Sequence, residues 1–316
     1  FFCRRGRERG DPAGAGELVE DGFVEAAAEG AVDLEARIDT REEGLQLSGG
    51  GSFGEFEIDA RFQAASLDSL EGLEAYVRSK GPSANALGAI AGRPGLPDTP
   101  YRLEAHAERT ARGLELQRLD FETAALSVEA SGIARAAAEL RDIDFSLSAQ
   151  GADVGVLAAL LGWDRPAAQP FRLQATVTGQ GRDRNDEVEA ELVVGDASAR
   201  LTGWVSEAED FAGSQFNLEL VTPRADQLAA LFGVAAPQTK LQTTGRMEVS
   251  SEHVRFQQFR AALGAAEFNG QARIDRGPGP PVGEFEAHAQ GPDLAALLEP
   301  VLPPRLRPLV PGSEFT

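Results

Sequence analysis

Phe171-Arg172-Leu173-Gln174-Ala175-Thr176-Val177-Thr178 alternates an apolar with a polar residue at every step. Successive side chains of an extended chain point to opposite faces, so this stretch reads as a strand with Phe171, Leu173, Ala175 and Val177 on a buried face and polar residues on a wet one. The same period recurs on both sides of it. Phe56, Ile58, Ala60 and Phe62 alternate with Glu57, Asp59 and Arg61; Tyr101, Leu103, Ala105 and Ala107 form another set, as do Ile143, Phe145, Leu147 and Ala149. Phe216, Leu218 and Leu220, and then Phe285, Ala287 and Ala289, extend the series toward the C-terminal end. Strands apolar on one side only suit antiparallel pairing, because a parallel sheet is covered on both faces.

A second pattern follows several of these strands, an acidic residue opening a short apolar run at helical spacing. Four copies are legible: Asp68 with Leu70 and Leu73; Asp153 with Leu157, Leu160 and Leu161; Asp226 with Leu228, Leu231 and Phe232; Asp293 with Leu294, Leu297 and Leu298. Each reads as a three-turn amphipathic helix ending near Gly162, Gly233 or Pro300 where such a residue is present. The Pro-aromatic-Arg-Leu strand starts at 101 and 171 are 70 residues apart, and Lys240-Leu241 continues the interval at 241. A fixed interval of this kind implies an array of similar units. The expected units span about 22–78, 101–162, 171–233 and 239–299, with a Pro/Gly-rich insertion at 79–100, a linker at 1–21 and a Pro-rich end at 300–316. The fold expected is therefore mainly β: an elongated, repetitive antiparallel sheet forming a groove, with one short amphipathic helix per repeat.

Composition narrows the function. With 42% hydrophobic residues among 316 the chain can bury a core. Fifty acidic against thirty basic residues give a formal charge of −20, which opposes phosphate backbones and anionic membrane surfaces alike, so no nucleic-acid partner is expected. A single thiol, Cys3, cannot form an internal disulfide. The opening Phe1-Phe2-Cys3-Arg4-Arg5 lacks a methionine and the order of a signal peptide, and reads as the start of an excised piece.

No catalytic chemistry emerges from the motifs. Gly50-Gly51-Ser52-Phe53-Gly54 fits G-x-S-x-G, and Gly49, Gly51 and Gly54 fit G-x-G-x-x-G, but both patterns require a helix next. An alternating strand follows instead, so the glycines read as a flexible turn. His106, His253 and His288 have no partner at a metal-ligand spacing and read as solvated polar-face residues. No catalytic residue, metal ligand or cofactor site is assigned.

The Pro-Phe-Arg-Leu strand, the glycine turns, the strands Ile143-Asp144-Phe145-Ser146-Leu147 and Phe216-Asn217-Leu218-Glu219-Leu220, and the Asp-x-x-x-Leu-x-x-Leu-Leu helix together resemble the periplasmic part of AsmA-like bacterial proteins, a group that includes the TamB and YhdP types. The likeness covers about 22–299 and rests on repeat style. It implies an inner-membrane anchor outside these residues and a taco-like β-groove crossing the periplasm. It also implies a part in outer-membrane biogenesis and phospholipid movement, with no catalytic motif. On that reading the residues facing lipid are Phe56, Ile58, Phe62, Leu103, Phe145, Leu147, Phe171, Leu173, Val177, Phe216, Leu218, Leu220 and Phe285. The partners implied are a zwitterionic phospholipid and the two membranes. The alternative is a structural or assembly scaffold whose apolar faces are packed shut.

Overall fold

The computed structural model describes residues 32–41, 44–64, 72–90, 96–136, 141–160, 168–181, 185–206, 211–231, 235–276 and 283–291. Strands β1 (Val32–Arg41), β2 (Gly44–Phe53), β3 (Phe56–Ala64) and β4 (Glu74–Gly81) precede helix α1 (Ala84–Ile90). Strands β5 (Tyr101–Thr110), β6 (Gly113–Thr123), β7 (Leu126–Ala136) and β8 (Arg141–Gly151) precede α2 (Gly155–Leu160). Strands β9 (Phe171–Thr178), β10 (Asp186–Val194), β11 (Ala197–Val205) and β12 (Gln215–Thr222) precede α3 (Ala225–Leu231). β13 (Leu241–Val249), β14 (His253–Leu263), β15 (Ala266–Asp275) and β16 (Gly283–Gln290) complete the order. All sixteen strands lie in one antiparallel sheet whose lateral order is the chain order. The sheet is open, with β1 and β16 at its edges.

The three helices leave the same rim of the sheet, their starts at 84, 155 and 225 lying 71 and 70 residues apart. One tie recurs at each. Ala84 N–H donates to Thr99 O (2.9 Å), Val154 N–H to Gln169 O (2.8 Å) and Ala225 N–H to Thr239 O (2.8 Å), in each case to the residue two before the next strand. An amide at the head of a helix has no intrahelical acceptor, and here the returning chain supplies one. Tight hairpins share this rim; Gly54, Gly195 and Gly264, with φ of 58°, 56° and 62°, take the first position of two-residue turns, where left-handed backbone favours glycine.

The structure corrects the sequence reading at several points. Asp68 and Leu70 lie outside the described residues, but Leu73 directly precedes β4, so the unit boundary expected at 78 falls inside a strand. The helix sits instead at Ala84–Ile90, in the segment read as an insertion. Its start signal is Ser83, whose hydroxyl accepts from Ala86 N–H (3.1 Å), and its buried residues are Ala84 and Gly88, which give little hydrophobic contrast. The helices have 7, 6 and 7 residues, about two turns rather than three. Asp153 acts as expected, accepting from Gly155 N–H at 2.8 Å, whereas Asp226 lies inside the first turn of α3 and pairs with Arg224. The stripe from Asp293 lies outside the described residues. Gly49–Phe53 are strand, not turn; only Gly54 and Glu55 make the turn.

Two β-bulges were not anticipated. The ladder shifts register at Gln117–Arg118 in β6 and at Gln257–Gln258 in β14, and Gln258 has a positive φ of 51°. The signal is a phase slip: Leu114 and Leu116 are followed by Leu119 and Phe121, as Val254 and Phe256 are followed by Phe259 and Ala261. One extra residue in each strand returns the later apolar residues to the face they would otherwise leave.

Candidate functional site

Cross-strand register turns the alternation into lateral rows. Through Val177 the partners run Ile38, Leu47, Phe62, Ala75, Ala107, Leu116, Gly132, Phe145, Val177, Val188, Gly203, Phe216, Met247, Phe256, Ala272 and Phe285, one residue from every strand. None is polar. We number this row the third, counting from the helix rim. The second holds Ala105, Leu119, Ala130, Leu147, Ala175, Ala190, Leu201 and Leu218. The first holds Ile58, Ser79, Leu103, Phe121, Val128, Ala149, Leu173, Leu192, Ala199 and Leu220. Nearest the helices a rim row contains Phe56, Tyr101, Leu126, Phe171, Val194 and Ala197.

The thirteen residues singled out from the sequence all fall on this one face, but not in equivalent surroundings. Phe171 is only 5% exposed and joins Leu126, Ala149, Val154 and Val156 in a cluster beneath α2, against which Leu173 and Leu192 also pack. It is core, not open surface. Phe56 is half-buried in the rim row, its ring 6.4 Å from that of Tyr101. Leu103, Phe145, Leu147, Val177, Phe216, Leu218 and Leu220 are half-buried, and Ile58 is 45% exposed. Phe285 enters the third row by its register with Ala272. Fully buried apolar side chains therefore concentrate at the helix rim, and the second and third rows have no second layer over them among the described residues.

Glycines punctuate the third row beside its largest rings. A Cβ at Gly132 would stand 2.8 Å from Phe145 Cδ2, and one at Gly203 would stand 2.8 Å from Phe216 Cα. At these two positions an absent side chain thus stands beside a phenylalanine of the next strand, which lets the two approach closely.

The reverse face is charged and laced with cross-strand pairs. Lys80 meets Glu57 at 2.8 Å, Arg78 meets Glu104 at 3.6 Å, and Arg200 pairs with Glu189. A shallow depression of about 720 Å³ on this face is lined by Asp59, Arg78, Lys80, Arg102 and Glu104. Near the rim opposite the helices, Arg135 pairs with Asp142 (3.0 Å) and with Asp144. The hydrogen bond from Arg135, reinforced by the Gly179 amide at 2.9 Å, holds the Asp144 carboxyl below the usual range, and burial opposes the shift. Arg224 lowers Asp226 in the same way.

His106 lies half-buried on the charged face, 3.4 Å from Glu74 and edge-on to Tyr76, so it is not simply solvated. His253 is half-buried at the start of β14, and His288 is exposed. Ser52 points to the charged face within β2, opposite Glu57 and Asp33. Among the described residues no three His, Cys, Asp or Glu side chains converge as a metal ion would need, and no helix is long and apolar enough to cross a membrane. No family model matches the chain, and neither a curated protein nor a solved structure matches it.

Proposed function

We propose that this chain is a non-enzymatic lipid-handling module that holds phospholipid acyl chains against its apolar face. One observation carries the reading: the second and third rows are uninterrupted by charge, yet their large side chains stay partly exposed rather than buried. A contiguous apolar surface of this extent is costly in water, since a large aliphatic or aromatic side chain gains about 1.5–3 kcal/mol on full burial. Something apolar and non-directional must cover it. An open sheet of sixteen strands curls rather than staying flat, and curling toward the apolar side makes a trough. At a spacing of about 4.8 Å the trough runs about 70 Å laterally. Its apolar floor from the first to the third row is about 14 Å deep at 3.4 Å per residue. That depth matches the acyl layer of one leaflet, about 15 Å as half of a bilayer core.

The recurring helix tie and the 70-residue interval support units of four strands and a helix, the style of the AsmA-like proteins that the sequence resembles. On that resemblance the module works in the periplasm, between inner and outer membranes, in lipid transport serving outer-membrane biogenesis. The charge of −20 and the acidic reverse face favour a zwitterionic lipid over an anionic one. The second reading, a scaffold for outer-membrane assembly with its apolar face packed shut, draws on the cluster beneath α2, where that face is covered.

Photo-crosslinking separates the two. A photoreactive residue at Phe216 in membrane-derived protein is expected to capture phospholipid, while one at Asn217, on the opposite face of the same strand, captures none. Equal labelling at both positions, or lipid at neither, sinks the lipid reading in favour of the scaffold.

A further inference from the structure

We propose that a depression on the charged face, between β11 and β14, binds a water-soluble phosphate group. The inference concerns the face opposite the apolar rows and does not rest on the lipid reading.

The depression holds about 560 Å³ and is lined by Arg200 on β11, Glu219 on β12, Thr244 and Arg246 on β13, and Gln258 and Arg260 on β14. Three cations against one acid leave a local surplus of two positive charges in a chain whose formal charge is −20. An anion repelled by the chain as a whole is drawn to this place. Arg200 and Arg246 are braced from outside it, Arg200 by Glu189 and Arg246 by Glu248 at 3.6 Å. Their side chains stay 57% and 41% exposed, and a guanidinium carries five N–H donors, so both keep donors for a ligand. Arg260 pairs with no carboxylate among the described residues. It lies in register with Thr244, two residues from Arg246 on the adjacent strand, so the two guanidinium groups can share one oxyanion.

This charge pattern is particular to its part of the sheet. Two 70-residue intervals earlier, Glu104, Arg118 and Asp120 hold the places of Thr244, Gln258 and Arg260. There Arg118 pairs with Asp120 and Glu104 with Arg78, so charge is matched within the sheet. Here a neutral Thr244 stands where the carboxylate was, and Arg260 is left over. The bulge in β14 brings Arg260 to this face: strict alternation from Phe256 would send Gln258 and Arg260 to the apolar side, and the extra residue returns both. Gln258 takes a φ of 51° there, an uncommon conformation for a residue other than glycine. The floor suits a soluble ligand, because Leu218 has its side chain in the second apolar row and contributes only backbone to the depression. Acyl chains would find no apolar cover on it.

Isothermal titration with inorganic phosphate at low ionic strength tests the site. Wild type is expected to bind phosphate saturably and Arg260→Gln to bind it severalfold more weakly. Arg172→Gln, which removes an exposed arginine of the same face on β9, should match wild type. Thr244→Glu returns a carboxylate to the place that Glu104 holds in β5, so the variant should fold, as circular dichroism would show, and lose phosphate binding. Absence of saturable binding by wild type, or binding unchanged in Arg260→Gln or in folded Thr244→Glu, overturns the proposal. Displacement of bound phosphate by phosphatidic acid vesicles also overturns it, by assigning the phosphate to a lipid headgroup.

Discussion

The Phe145 ring of β8 lies over Gly132 of β7, so close that a Cβ on the glycine would meet Phe145 Cδ2 at 2.8 Å and the Asp144 carbonyl oxygen at 2.5 Å. One of those two contacts is backbone, which cannot swing aside as a flexible side chain could. Gly132→Ala is therefore expected to lower stability by about 1–3 kcal/mol through strand displacement. At Gly50, on the charged face, the nearest atom to an added Cβ is the Ile58 carbonyl oxygen at 3.3 Å, and Gly50→Ala should change stability by less than about 0.5 kcal/mol. Urea unfolding of the two variants checks the contrast, and equal effects would contradict it.

Burial predicts a second contrast. Leu126 is 2% exposed in the cluster beneath α2, so Leu126→Ala should cost about 2–5 kcal/mol. Leu218 is half-buried in the second row, and Leu218→Ala should cost clearly less, on the order of 1 kcal/mol in lipid-free protein. Were Leu218→Ala as costly as Leu126→Ala, the second row would have to be covered by protein.

Charge placed on the apolar face tests lipid retention. Leu218→Asp puts a carboxylate among Leu201 and its neighbours, and phospholipid co-purifying with the chain should fall severalfold by mass spectrometry. Asn217→Asp, one residue along and on the charged face, should leave retained lipid unchanged. Leu173→Asp is a poorer probe, because Leu173 also packs against the α2 cluster and its loss would unsettle the fold.

Acid sensitivity should trace in part to Asp144. Its carboxyl is held below the ordinary value of 3.8 by Arg135, so its contribution is present above the unfolded value and lost as pH falls through the folded one. Asp144→Asn should flatten the stability profile below about pH 4 and leave its slope near neutrality unchanged. The effect is modest, since the side chain is 39% exposed. Thermal melts from pH 2 to 7 check it.

Sheet closure is testable by spin-label distances in a Cys3→Ser background, with nitroxides at Glu35→Cys on β1 and Glu286→Cys on β16. Fifteen strand spacings separate these edges, about 70 Å along the sheet and less once it curls. Distances well beyond 30 Å are expected. A separation of about 5–10 Å, one or two strand spacings, would mean a closed barrel.

Much of the β architecture is legible in the residues themselves. Alternation at Phe56–Phe62, Phe171–Val177 and Phe216–Leu220 assigns strands and their apolar face, because pleating forces side chains to opposite sides whatever the partners are. Alternation also implies antiparallel pairing, since a face left wet cannot belong to a sheet covered on both sides. Helix α1 stayed hidden because its buried residues are the small Ala84 and Gly88 and its cap is a lone Ser83, signals too weak beside the leucines near Asp68. The bulges in β6 and β14 were written as phase slips, but only pairing against a neighbour shows that an extra residue restores a face. Which apolar residues become core was a tertiary decision. Phe171 and Phe216 both stand at the start of an alternating strand, yet β9 and β12 run in opposite directions, so one starts beneath α2 and the other, one residue inside its register, near the opposite rim. Which rim a helix covers depends on what the chain lays across the sheet, and a single strand's pattern carries no record of that.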